Sequence, residues 1–558
     1  MLIYCYAFGT AMSAGIHSGF ADTVTIIKGE ALFNKFCAGC HNFRQDGIGP
    51  QLGGVTTRVS AEWIRQFISS PQKLINSGEK RAIQLSEKFK AVMPSFSSFT
   101  NNDLNAIVAF LNTQKTPGYN VDNGKGLSNP VKEKILVSDL VVNIKLATQF
   151  PASSDSGKLP LARITKLDFQ PGTGISFFAD NRGKLYKLVN NKPTVYMDMA
   201  LLEPAFIDHP GLATGFGSFA FHPQFSTNGL LYTTHSEPGG SAIADFGYAD
   251  SIKVTLQWIL TEWKVNDPKA ETFSGKGREL FRVNTVVVNH GMQEITFNPY
   301  ATPGEEDYGL LYIGMGDGGS VENGYSFLAH NPGKIWGTVL RINPTGSNST
   351  NGKYGIPPQN PFAKNKNTKK LGEIYAYGFR NPHRISWTKS KQMLACNIGN
   401  GNIESVNLIQ KGHDYGWPIR EGNFLLDPFG NLNSVFALPV NDSSYHITYP
   451  VAEYDHDEGN AISGGFEYTG KALPKLKGKY LFGDIPHGRL FYFDIKEIKQ
   501  GRQATVKEWR VSINGIQKSL ADICGSKRVD LHFGKDASGE LYILTKADGK
   551  MYQLTAND

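Results

Sequence analysis

Cys37-Ala38-Gly39-Cys40-His41 constrains this chain more than any other stretch. Two thiols three positions apart, followed at once by an imidazole, form the pattern for covalent attachment of a c-type haem. The thiols add to the vinyl groups, and the histidine is then held close enough to bind the iron. C-x-x-C is also a zinc or redox pattern, but no second cysteine pair is placed to complete four zinc ligands.

The surroundings of the pentapeptide fit the haem reading. Ahead of it, Glu30 to Phe36 carries Leu32, Phe33 and Phe36 at helical spacing. Behind it come Gly49-Pro50-Gln51-Leu52-Gly53 and then Val92-Met93-Pro94. A methionine thioether is the usual sixth ligand for electron transfer because it favours Fe(II) and raises the potential. The proline after Met93 fixes φ and holds the loop extended; the plainer alternative is a core methionine. Asn101-Asn102-Asp103 offers an N-cap to a helix with Leu104, Ile107, Val108 and Leu111 on one face. This order resembles a class I cytochrome c. The resemblance implies a small all-α domain, with one haem c on Cys37 and Cys40 and His41 and Met93 as metal ligands.

A chain of 558 residues suits two or three domains. With 19% charged and 40% hydrophobic residues it reads as soluble and globular. The net charge of +7 includes no basic run, which excludes a nucleic-acid partner. No apolar run approaches the ~18 residues of a membrane span, so no transmembrane segment is expected. Residues 1–21 are mildly apolar and rich in small residues, a candidate signal peptide cleaved before Asp22, though without a positive n-region. Covalent haem attachment in bacteria occurs outside the cytoplasmic membrane, so the expected location is periplasmic or secreted. Cys396 and Cys524 read equally as a disulfide or as two buried thiols.

Residues 117–135 are rich in turn formers and read as a linker between a domain over 22–116 and another over 136–558. Past the linker, glycine turns precede short alternating strands, as at Gly183-Lys184-Leu185-Tyr186, Gly229-Leu230-Leu231-Tyr232 and Gly539-Glu540-Leu541-Tyr542. Sixty glycines and 28 prolines suit an all-β region built on such turns. At about 70 residues per repeat, the region divides into a six-bladed β-propeller.

Its polar motifs are not blade scaffolding. Asn289-His290, Gly316-Asp317-Gly318-Gly319, Gly378-Phe379-Arg380-Asn381-Pro382, the run Gly399 to Trp417, Ser463-Gly464-Gly465 and Phe482-Gly483-Asp484 follow in the order seen in PQQ-dependent soluble aldose sugar dehydrogenases of the glucose/sorbosone dehydrogenase family. The resemblance implies PQQ and Ca2+ on the top face of the propeller. It makes His290 the base that takes the hydroxyl proton and Asp317 the carboxylate that orients it. Arg380 and Asn381 become the pair that grips the quinone oxygens and carboxylates, with Arg380 offsetting negative charge as it develops. Gly399 and Asn400 fall where carbonyls hold the calcium. Arg489 and Arg528 are candidates for cofactor carboxylate contacts. His456 either lines the same mouth or is a solvated loop residue. The chain departs from the family at Ala213-Thr214-Gly215-Phe216-Gly217, where members often carry Gln or Glu with paired glycines, and at Asn397-Ile398-Gly399.

The expected protein is therefore a quinohaemoprotein. It oxidises a sugar or polyol with PQQ, passes electrons to its own haem c, and from there to an external acceptor such as another cytochrome. Tethering keeps the first acceptor at high effective concentration. One alternative is a propeller that has lost PQQ and binds carbohydrate or protein beside an electron-transfer cytochrome. Another is an electron carrier whose propeller docks a separate dehydrogenase.

Overall fold

The computed structural model describes residues 23–89, 93–115, 126–155, 159–364 and 369–556. The candidate signal peptide and residues 117–125 of the linker lie outside the described residues. Among the described residues, no helix is long and apolar enough to cross a membrane.

The N-terminal part is a small helical domain that carries the C-x-x-C-H motif. Its two longest helices, Thr23–Phe36 and Asn101–Thr113, pack together, with Ala61–Ser69 and shorter helices completing the set. Phe33, Ile64, Ile68, Leu104, Ile107, Phe110 and Leu111 form its core, and Cys37, Ala38 and Met93 pack partly buried against it. The last helix starts one residue earlier than the sequence suggests. Thr100 is the N-cap, accepting from the Asp103 amide at 3.2 Å while the Asp103 carboxylate accepts from the Thr100 amide at 2.9 Å. A hydroxyl followed three residues later by an acid forms a reciprocal capping box, which satisfies two amides where a lone asparagine cap satisfies one.

The remainder is a large all-β domain. Residues 164–198, 216–285, 292–377 and 382–455 each supply one four-stranded antiparallel sheet. A nine-stranded sheet follows. In it, four strands between Ile462 and Ile513 meet a second group formed by Leu531–Lys535, Leu541–Thr545, Lys550–Thr555 and the first strand of the domain, Leu136–Gln149. Leu136–Gln149 pairs antiparallel with Lys550–Thr555 and parallel with Lys507–Ile513, tying the start of the domain to its end. The inner strands Ile164–Phe169, Phe216–Phe221, Met292–Phe297, Pro382–Trp387, Ile462–Glu467 and Leu531–Lys535 each touch the next, and the last touches the first. The strand pairing thus differs from six separate blades: Leu136–Gln149 bridges two groups of strands into one sheet. Cys396 and Cys524 are both free thiols, so the disulfide alternative is not realised.

The close approach of the two long helices depends on Gly29. A Cβ there would lie 1.9 Å from the Ala106 carbonyl oxygen and 2.9 Å from Phe110 Cβ. Gly29→Ala is expected to destabilise the helical domain by about 1–3 kcal/mol, an overpacking cost. The check is denaturant unfolding followed at the haem absorption band, whose midpoint should fall while the β-domain transition stays in place.

Candidate active site

His290, Asp317 and Trp417 form one hydrogen-bonded unit. His290 Nδ1 lies 2.8 Å from Asp317 Oδ1, and the other carboxylate oxygen accepts from Trp417 Nε1 at 3.0 Å. Asp317 is fully buried. Burial alone would raise its pKa, but the His290 hydrogen bond and charge, Arg380 and the Gly319 amide together hold it below the usual carboxylate range. An ionised Asp317 keeps the ring proton on Nδ1, which leaves His290 Nε2 as a proton acceptor.

The glycines around these residues make the approach possible. A Cβ on Gly291 would lie 1.9 Å from Trp258 Nε1, and one on Gly316 would lie 2.4 Å from the His290 carbonyl oxygen. His290 itself has φ of 56°, a left-handed conformation uncommon for a side-chain-bearing residue. The Asp317 amide donates to the Arg380 carbonyl at 2.8 Å, which joins the third motif to the first two.

Arg380 is buried between Glu322, with which it pairs, and the Gly399 carbonyl, to which Nη1 donates at 2.5 Å. Its guanidinium carbon stands 5.9 Å from the Trp417 ring centroid, and Nε has no partner. Asn381 Nδ2 donates to Gln293 Oε1 at 3.0 Å. Glu421 Oε1 accepts from the amides of Asn400, Gly401, Asn402 and Ile403 at 2.7–3.2 Å. The Asn400 side chain donates to the Leu432 carbonyl at 2.8 Å and accepts from Gln45 of the helical domain at 3.0 Å. The Gly399 oxygen expected to face calcium therefore accepts from a guanidinium in this arrangement.

One cavity of about 1260 Å3 lies beside these groups. It is lined by His290, Arg380 and Asn381, and further on by Arg163, Arg384, Lys546, His383 and His532. Both ring nitrogens of His383 and of His532 are buried without partners. Burial, together with Arg384 and Lys546, holds both imidazoles well below their usual range. Burial and the nearby Arg163 and Arg384 bring Lys546 down to about 8, against the opposing pull of Asp530 and Asp180. Crowded cations and unpartnered donors are a setting that an anion with several carboxylates relieves, so these residues fit a group such as PQQ.

The same cavity reaches the C-x-x-C-H edge. Gly39, Cys40 and His41 line it together with His290 and Arg528. His41 Nδ1 is 2.8 Å from the Pro50 carbonyl, which fixes the tautomer and leaves Nε2 to an iron. The Gly39 carbonyl accepts from Asn289 Nδ2 at 3.2 Å, and Glu30 pairs with Lys253 at 2.6 Å. A Cβ on Gly39 would lie 2.8 Å from Gly211 Cα.

The structure brings together His290, Asp317, Arg380, Asn381, Gly399, Asn400 and the Cys40–His41 edge. Arg528 also reaches the cavity, paired with Asp530 at 2.8 Å. His456 lines it too and bonds to the buried Glu404 at 3.0 Å, which settles its open reading in favour of the mouth. Arg489, its fork held by Glu458 and Glu508, does not line the cavity, and Cys37 and Met93 pack against the helical core instead of lining it. Trp417 stood within a quoted motif without a role. Glu322, Glu421, His383, His532 and Lys546 carried no spacing signal, because they converge from different sheets.

Residues 166–553 match the family model described as Glucose / Sorbosone dehydrogenase, and residues 26–115 match that described as Cytochrome c. Quinoprotein glucose dehydrogenase B of Acinetobacter calcoaceticus is 25% identical over 57% of this chain and 64% of its own length. Human Hedgehog-interacting protein is 25% identical over 61% of this chain and 43% of its own. The crystal structure of the apo soluble aldose sugar dehydrogenase from Escherichia coli superposes with a TM-score of 0.52 at 18% identity, over 75% of this chain and all of that one. The chain spans about half the length of the first curated relatives it matches.

The His456–Glu404 pair gives the site a pH signature. Burial alone would lower His456, but the hydrogen bond and charge of Glu404, with Glu421 and Asp484, raise it above the ordinary imidazole range. Its contribution to stability is present below the unfolded-state value of about 6.5 and is lost as pH rises through the raised value. NMR titration should show His456 titrating above the ordinary imidazole range, and titrating lower in Glu404→Gln than in the wild type. An unchanged titration in the variant removes Glu404 as the cause.

Proposed function

The chain belongs to the glucose/sorbosone dehydrogenase family, and we propose that it is a PQQ-dependent dehydrogenase of a sugar or polyol that hands electrons to its own haem c. We read the closed ring of six inner strands as a six-bladed propeller whose mouth carries the chemistry. The observation that carries this reading is the shared cavity, whose walls include both His290, held by the buried Asp317, and the Cys40–His41 edge. When bound, PQQ supplies a two-electron acceptor for the substrate hydride, and the haem supplies a one-electron relay.

The protein groups have defined tasks. His290 Nε2 takes the substrate hydroxyl proton while Asp317 and Trp417 hold the ring in place. Arg380, Asn381, Lys546, His383 and His532 would hold the cofactor's oxygens and carboxylates. Cys37 and Cys40 would attach the haem, and His41 and Met93 would supply its iron ligands. Calcium at Gly399 and Asn400 would share the Gly399 carbonyl with Arg380 or displace it. Covalent haem attachment favours a periplasmic or secreted location, where an external acceptor such as another cytochrome would take the electrons. A second reading, a propeller without PQQ that binds carbohydrate or protein, draws on the closed pairing of Arg380 with Glu322 and on the Hedgehog-interacting relative.

Haem-loaded protein supplied with PQQ and mixed anaerobically with aldoses, polyols and alcohols should develop the reduced-haem band only when both PQQ and substrate are present. His290→Ala should slow that reduction by about 10²–10⁴, the usual worth of a general base. In a direct titration, Lys546→Gln should weaken PQQ binding. Failure of the wild type to bind PQQ favours the binding-module reading. PQQ binding without haem reduction by any substrate points instead to an untested substrate or a broken electron path.

A further inference from the structure

A second polar cluster lies outside the mouth, on the sheet of residues 216–285. His235 and Glu237 are two residues apart on strand Leu230–Pro238 and so share a face. Glu203 comes from the end of the short helix Met199–Leu202. One ligand atom from each of Glu203, His235 and Glu237 lies within 4.8 Å of the others. His235 and Glu237 are buried and Glu203 is half-buried. A cavity of about 210 Å3 is lined by Glu203, Glu237, Glu279 and Thr261.

Two observations beyond the carboxylates point to a missing partner. Thr261, 2% exposed, lines this cavity with its hydroxyl unpartnered. Fully buried His235 has only Glu237 Oε1, 3.3 Å from Nε2, and its Nδ1 is bare. Arg282 is the cation already present. It binds Glu237 Oε2 at 2.5 Å, Glu279 at 2.8 Å and Gln257 at 3.0 Å, which leaves Glu237 Oε1 and Glu203 without a cation. Three carboxylates thus face one guanidinium.

We propose that Glu203, His235 and Glu237 bind a divalent cation of the zinc class. One imidazole nitrogen with two carboxylate oxygens is a borderline donor set that suits zinc better than calcium or magnesium. The ligand atoms, which lie within 4.8 Å of one another, would have to draw together around the ion to reach zinc bond lengths of roughly 2.0–2.2 Å. Thr261 is placed to hold a water in the remaining position. The cluster shares no residue with the mouth, so the ion is structural and ties the helix end at Glu203 to the neighbouring sheet.

The test uses the full-length, haem-loaded protein, in which the Cys37 and Cys40 thiols are consumed and cannot take the metal. Equilibrium dialysis against Zn2+ should give stoichiometric binding, and X-ray absorption at the zinc edge should report one imidazole among oxygen ligands. Glu203→Gln, at a half-buried position that tolerates change, should weaken binding at least ~10-fold and leave sugar-dependent haem reduction unaltered. His235→Gln should remove the imidazole signature. Absence of stoichiometric zinc in the wild type, or zinc held equally by the wild type and Glu203→Gln, overturns the assignment.

Discussion

A buried carboxylate has to be satisfied, and the mouth of the β domain is organised around satisfying Asp317. One oxygen accepts from His290 and from the Gly319 amide at 2.9 Å, the other from Trp417, and the Asp317 amide binds the Arg380 carbonyl. Four loops of distant sequence are fixed to each other through this one residue. Removing any partner would strand charge in a site with no water access, at a cost of several kcal/mol. The geometry of the base and of the arginine is therefore not independent: the network that ionises Asp317 also sets the His290 tautomer and the place of Arg380.

The same logic explains the departures from the family pattern. Gly211 and the segment beginning at Ala213 lie beneath the helical domain, where Gly39 comes too close for any side chain. Thr214 is buried there, its hydroxyl bonded to the Val288 carbonyl at 3.2 Å beside the His290 motif. The Asn400 side chain joins the two domains through Gln45.

Much of this was legible in the chain. The haem motif, the glycine turns before strands and the Asn-His and G-D-G-G motifs are local, and each pairs a residue type with a backbone need: Gly229, for example, adopts φ of 60° at its turn. What was not legible is convergence. His383 and His532 reach the cavity from two inner strands and Lys546 from the turn after Leu541–Thr545, and no sequence spacing encodes that. Arg489 shows the opposite failure. An arginine close to a family motif looked available, but Glu458 and Glu508, 31 residues before it and 19 after, had already claimed its fork. The joining of two strand groups into one sheet by Leu136–Gln149 was equally hidden, because a parallel pairing between residues hundreds of positions apart leaves no local trace.

The contact between the domains is polar and sparse. Gln45 meets Asn400, Gly39 meets Asn289, and the ion pair between Glu30 and Lys253 is exposed on both sides. An exposed pair of that kind is worth about 0–1 kcal/mol and fades with salt, and each neutral hydrogen bond adds about 1 kcal/mol. Such contacts orient the C-x-x-C-H edge more than they hold it. Proximity comes from the covalent connection, which keeps the two domains at high effective concentration whatever the strength of the contact. A weak, orienting interface leaves one cavity shared between the C-x-x-C-H edge and the His290 motif.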